Sequence, residues 1–210
     1  MDLAPLAALV TRELRSGERD GTPTKVAVAR RTYPTDRADL WDALTDAERL
    51  PRWFLPVSGD LREGGTYQLE GNASGTVERC AAPEWFAVTW EYGGTVSWLA
   101  VTLTEAEGGT TLELVHESPV EPEFWALFGP GAVGLGWDLG LLGLGMYAES
   151  GEAVDPGFAA SFNFTLEGQA FIRVAADGWR DAAIADGEDP AAAATAADGA
   201  YAAYTVAPEG

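Results

Sequence analysis

Residues 97–118 read SWLAVTLTEAEGGTTLELVHES and residues 132–148 read AVGLGWDLGLLGLGMYA; the change of period between them decides the fold. In the first stretch Leu99, Val101 and Leu103 alternate with Ala100, Thr102 and Thr104. After Gly108-Gly109, Leu112, Leu114 and His116 alternate with Glu113, Val115 and Glu117. A period of two is a β-strand with one buried face, and the Gly-Gly pair joins the two strands as a hairpin. In the second stretch Val133, Trp137, Leu141 and Leu144 recur at helical spacing. Gly134, Gly136, Gly140, Gly143 and Gly145 lie inside that helix. Each costs about 0.5–1 kcal/mol relative to alanine. The helix is therefore expected where packing rewards small residues, as in a close approach to a sheet. A buried helix is favoured over a membrane span, because Asp138 interrupts the apolar run and no Lys or Arg flanks it.

Upstream, further strands follow one another closely. They are expected at residues 57–62, 67–71, 75–80 and 85–92, separated by Gly64-Gly65, Pro83 and Gly93-Gly94. Hairpins this closely spaced mean an antiparallel meander of six strands. Before it, residues 25–33 read as a first strand. Asp36 caps a helix over 36–44, and Thr45 with Glu48 has the capping-box spacing for a second short helix that Pro51 closes. At the N-terminus Leu3, Leu6, Val10 and Leu14 suggest a helix over 4–15, followed by a polar linker over 16–24.

Downstream, Thr165 is placed to cap a helix over 166–186, and Asp189-Pro190 to start an Ala-rich helix that runs to about Tyr204. The expected organisation is an N-terminal helix and linker (1–23), an α+β helix-grip domain (24–148) and an acidic helical C-terminal extension (149–210).

Composition narrows the function. The 210 residues are 47% hydrophobic and carry a formal net charge of −20. Nucleic acid and anionic membrane surfaces would be repelled. One histidine and one cysteine cannot supply a soft-ligand metal site, and no calcium-loop spacing or phosphate-binding glycine loop occurs, so no metal or cofactor is expected. Cys80 excludes an intrachain disulfide and is expected to be a buried apolar filler. Met1-Asp2-Leu3 begins without the basic and apolar regions of a signal peptide, so a cytoplasmic location is expected.

Six ordered motifs resemble one family. They are Trp41-Asp42-Ala43-Leu44-Thr45-Asp46 followed by Pro51-Arg52-Trp53-Phe54; Gly59-Asp60-Leu61-Arg62-Glu63-Gly64-Gly65; Gly75-Thr76-Val77; Pro83; Val88-Thr89-Trp90-Glu91; and Thr111-Leu112-Glu113-Leu114-Val115-His116. Together, over residues 25–148, they resemble START-like (SRPBCC) proteins. Within these, they are similar to the branch named after the C-terminal domain of the heat-shock-protein-90 ATPase activator. The resemblance implies a sheet wrapped around the long helix, with a hydrophobic cavity between them. Members of the family bind lipids, hormones or polyketides, act as cyclases or hydrolases, or serve as co-chaperone modules, so fold alone does not settle function.

The residues that would line such a cavity are Trp53 and Phe54 after the short helices, Tyr67 and Leu69, Trp90, His116, and Trp137 with Leu141 on the long helix. Trp98 has the opposite parity to Leu99 and is expected to face outward, against a partner or the extension. His116, the lone histidine, reads either as a ligand contact or general base, or as a core histidine satisfied by one hydrogen bond. Asp138 reads either as an acid with a raised pKa or an anchor for a ligand amine, or, as the preferred reading, as a residue at an exposed edge or paired with an arginine. No nucleophile beside His116 is clear from the sequence. The expected function is non-catalytic binding of a small apolar or aromatic molecule. The alternatives are a cyclase or hydrolase for a polyketide-like or aromatic substrate, and a chaperone-linked interaction module. The C-terminal extension is a further candidate surface for a homodimer or protein partner.

Overall fold

The computed structural model describes residues 3–206. Its strands are β1 (Thr11–Arg19), β2 (Thr22–Tyr33), β3 (Val57–Gly59), β4 (Thr66–Leu69), β5 (Ser74–Ala81), β6 (Trp85–Tyr92), β7 (Thr95–Ala106) and β8 (Gly109–Pro119). Its helices are α1 (Ala4–Ala7), α2 (Arg37–Thr45), α3 (Pro122–Phe128), α4 (Gly131–Ser150), α5 (Pro156–Ser161), α6 (Leu166–Ala185) and α7 (Pro190–Thr205). The strands form one sheet in the order β1-β2-β8-β7-β6-β5-β4-β3. Strands β3 to β8 are the expected antiparallel meander, and the whole is an α+β helix-grip fold with added helices.

The chain divides into two compact units. One comprises Met1–Ala29, Val120–Leu142 and Asp155–Gly210, the other Arg30–Pro119 and Gly143–Val154. In the second unit the register fixes which side chains share a face. Leu99 lies opposite His116, Val101 opposite Leu114 and Leu103 opposite Leu112. Val88 lies opposite Leu99 and Trp90 opposite Ser97. Tyr67, Leu69, Val77, Val88, Leu99, Val101, Leu103, Leu112, Leu114 and His116 are all buried, which makes one side of the sheet almost wholly apolar. Arg31 and Tyr33 of β2 are buried too, with the guanidinium over the tyrosine ring.

In the first unit, α6 and α7 carry the expected caps. The Thr165 hydroxyl accepts from the Gly168 amide, and the Asp189 carboxylate from the Ala191 and Ala192 amides. The glycines of α4 accommodate side chains. A Cβ at Gly134 would lie 2.3 Å from the Trp179 indole, and in the second unit one at Gly145 would lie 2.4 Å from the Arg31 guanidinium. At Gly134 and Gly145 the close approach is therefore to large side chains from a helix and a strand, and at Gly143 it is to the Trp53 carbonyl oxygen, 2.7 Å from an added Cβ.

Several local expectations fail. The N-terminal helix stops at Ala7, and Thr11–Arg19 is a strand whose one buried residue is Leu14. The supposed linker is a hairpin. Asp20 and Gly21 both take positive φ, 51° and 79°, which suits a two-residue turn between twisted strands. Thr45 starts no second helix, because its hydroxyl donates back to the Trp41 carbonyl of α2 (2.8 Å). The Asp46 carboxylate instead accepts from the amides of Glu48 and Arg49, and a single 3₁₀ turn follows at Leu50–Arg52. Cys80 is exposed.

Candidate functional site

Trp90, Ser97 and His116 meet on the buried face of the sheet in the second unit. β6 and β7 place Trp90 opposite Ser97, and β8 brings His116 one diagonal step from Ser97. The Ser97 hydroxyl donates to the Trp90 carbonyl (3.0 Å) and lies 2.8 Å from His116 Nε2. Ser97 and His116 are 6% and 3% exposed. The Trp90 ring stands edge-on to the imidazole, with centroids 6.2 Å apart. Burial pushes the imidazole pKa down to about 4, because its charged form would lose hydration, so His116 is neutral at ordinary pH.

Sequence reasoning found His116 and Trp90 but missed Ser97. The available signal was parity: Ser97 shares the face of Leu99 and Val101, so a serine falls where the pattern demands an apolar residue.

Tyr67 and Leu69 are buried on the same face. The Tyr67 hydroxyl donates to the Thr89 carbonyl at 2.7 Å. Burial, aided by the Glu91 charge, raises its pKa, so it stays a protonated donor. Trp53 and Phe54 are half-buried, stacked at 5.4 Å, and the Trp53 indole donates to the Ala43 carbonyl (2.8 Å). Trp137 is half-buried and Leu141 buried, both on the part of α4 that belongs to the first unit. Trp98 is half-buried, on strand positions opposite Thr89 and Glu117.

Asp138 takes the arginine-paired alternative. Arg12 grips it with two bonds, Nη2 to Oδ1 at 2.7 Å and Nε to Oδ2 at 3.1 Å, and the Trp179 indole donates to Oδ2 at 2.8 Å. Arg12 also donates to the carbonyls of Ala7 and Val10 (both 2.9 Å). A carboxylate held by three such donors is committed to the fold. The first unit also carries an open groove of about 460 Å³ lined by Asn163, Phe164, Ala203, Tyr204 and Val206, none of them among the expected ligand contacts.

Among the described residues, no group of three or more His, Cys, Asp or Glu side chains is placed to hold a metal ion. Among them too, no single helix is long and apolar enough to cross a membrane.

Comparison with known proteins bears on family and fold. A family model described as activator of Hsp90 ATPase homolog 1-like protein matches residues 34–139. The crystal structure of CalU16 from Micromonospora echinospora is 34% identical, covering 68% of this chain and 87% of that one, with a TM-score of 0.59. The solution NMR structure of CalU16 aligns at 29% identity over 84% of this chain and 96% of that one, with a TM-score of 0.69. DynU16, from the dynemicin biosynthetic locus, shares the fold at 20% identity over 61% of this chain and 48% of its own, with a TM-score of 0.56. No curated protein matches the chain.

Proposed function

We propose that this chain, which belongs to the activator of Hsp90 ATPase homolog 1-like family, binds a small apolar or aromatic molecule against the buried face of its sheet, without catalysis. The observation that carries the reading is the His116–Ser97 pair at the Trp90 end of that face. On the same strands Val88, Leu99, Val101 and Leu114 are buried, and Leu99 lies opposite His116. A buried polar pair adds little net stability, and apolar residues of the same shape would serve a core at least as well. A polar pair at positions where the strand pattern asks for leucine is where a function is expected. Mostly apolar walls with a few placed polar groups are the usual build of a small-molecule site. Trp90, Tyr67 and Leu69 supply apolar and aromatic surface, with Trp53 and Phe54 of the same unit as further candidate contacts.

The cyclase or hydrolase alternative needs a serine that gives its proton to the histidine. Here the Ser97 proton is engaged by the Trp90 carbonyl, and burial disfavours the imidazolium that a general base would become. Binding is therefore favoured over chemistry. A chaperone-linked role, which the family description raises, would show as stimulation of Hsp90 ATPase by the chain; the binding reading expects none.

The test is fluorescence and thermal-shift titration with neutral aromatic compounds such as β-naphthol. Saturable binding with a rise in Tm is expected, weakened about tenfold or more by His116→Leu. If no neutral aromatic compound binds saturably, the reading fails.

A further inference from the structure

We propose that the groove on the first unit is a second small-molecule site, which takes a flat neutral aromatic ligand through a primary-amide or lactam group held by Asn163. Its lining comes wholly from the helical extension, so it is independent of the sheet face that carries His116.

The groove forms where the 3₁₀ turn Phe162–Phe164 packs on α7. Its volume of about 460 Å³ lies in the range of small-molecule sites. Its walls are Phe164, Ala203, Tyr204 and Val206, with Asn163 the one carboxamide among them. The two rings are uncommitted. Phe158, Phe162 and Phe171 pack ring against ring, and Tyr201 lies under the Arg173 guanidinium. Phe164 and Tyr204 share no ring contact with any described residue. Tyr204 is a fixed wall: its hydroxyl donates to the Ala132 carbonyl at 3.1 Å, and burial raises its pKa, so it stays protonated. Phe164 is 39% exposed and Val206 68%, so both offer apolar surface that the fold leaves open.

Asn163 is likewise unused by the fold. An asparagine in a turn ordinarily bonds nearby backbone or caps a helix. Here Thr165 does both, donating to the Phe162 carbonyl (2.7 Å) and accepting from the Gly168 amide (3.0 Å). The half-buried Asn163 side chain bonds to no described residue. Its carboxamide presents a donor and an acceptor side by side. The matching group shows an acceptor and a donor at the same spacing, as a primary amide or a lactam does. A tertiary amide lacks the donor. A carboxylate lacks it too, and it meets a lining without any cation in a chain of net charge −20. The two open rings select an aromatic carrier for the amide.

The probe is β-naphthamide, titrated into the intact chain and followed by thermal shift and by the side-chain amide resonances of Asn163 in proton–nitrogen NMR. Saturable binding that moves those resonances is expected, with the N,N-dimethyl amide and β-naphthoate each at least about tenfold weaker. Asn163→Leu should erase the preference between the two amides, and Phe164→Ala should weaken both alike; the Tm of each variant without ligand shows that it is folded. Equal affinity of the two amides in the wild type, or Asn163 resonances that stay fixed at saturation, would overturn the proposal. Absence of saturable binding overturns it too, and a concentration-dependent dimer in light scattering would then name a second copy of the chain as the occupant. The sheet-face reading is followed separately: β-naphthamide that shifts the His116 ring but not Asn163 sinks this site and leaves that reading standing.

Discussion

Asp138 and His116 are both buried ionisable residues on apolar elements, and their surroundings give them opposite roles. Asp138 is charged, gripped by Arg12 and by the Trp179 indole. Removing one partner leaves a buried charge without compensation. Arg12→Met or Asp138→Leu alone should each cost about 3–5 kcal/mol, whereas the double variant should recover most of the loss. Denaturant unfolding of the three variants checks this. His116 is neutral, and its pKa falls from 6.5 to about 4 on folding. Between those values the unfolded chain takes up a proton that the folded chain does not. Stability contributed by the neutral ring is therefore fully present above pH 6.5 and is lost as the pH falls toward 4, by on the order of 3 kcal/mol. Unfolding measured across that window should show the slope in the wild type and a flatter one in His116→Leu. The sequence favoured an exposed edge or an arginine pairing for Asp138 but could not name the arginine, because Arg12 lies on a strand 126 positions away in the chain. Ser97 escaped notice for a similar reason: it meets His116 only through the diagonal register of β7 and β8.

At the scale of elements, legibility follows the strength of the local pattern. Strands β6 to β8 announce themselves by alternation and paired glycines, and α6 and α7 by Thr165 and Asp189-Pro190, where a single side chain satisfies the first free amides of the helix. The β1–β2 hairpin was obscured. Leu6, Val10 and Leu14 keep a helical spacing, and the strand Thr11–Arg19 is polar along most of its length because it lies at the edge of the sheet. The legible signal was Asp20-Gly21, a pair suited to a two-residue hairpin turn. In α4 the glycines are structural sockets. Gly134→Ala gains helix propensity of about 1 kcal/mol but drives a methyl group to 2.3 Å from the Trp179 indole. The net effect expected is a loss of about 1–3 kcal/mol, measured as a lower denaturation midpoint, with Gly145→Ala behaving alike against Arg31.

At the scale of the whole molecule, two features frame the function. The first is charge: after Arg79 the only basic residues are Arg173 and Arg180, in a chain with a net charge of −20. Such a surface repels itself, so raising ionic strength should raise the Tm, a trend differential scanning calorimetry will register. A neutral ligand suits this chain better than an anionic one. The second is family membership, which the motifs from Trp41 to His116 foretold and the matched residues 34–139 bear out. The family's fold is common to binding, catalytic and co-chaperone roles, so the choice among them falls to the sheet face that holds His116, Ser97 and Trp90. The most direct test follows the ring resonances of His116 while β-naphthol is titrated into the intact protein. A saturable shift of those resonances, lost in Trp90→Ala, is the predicted result. Ring resonances that stay fixed while the protein is saturated with ligand, or an absence of saturable binding, would contradict the account.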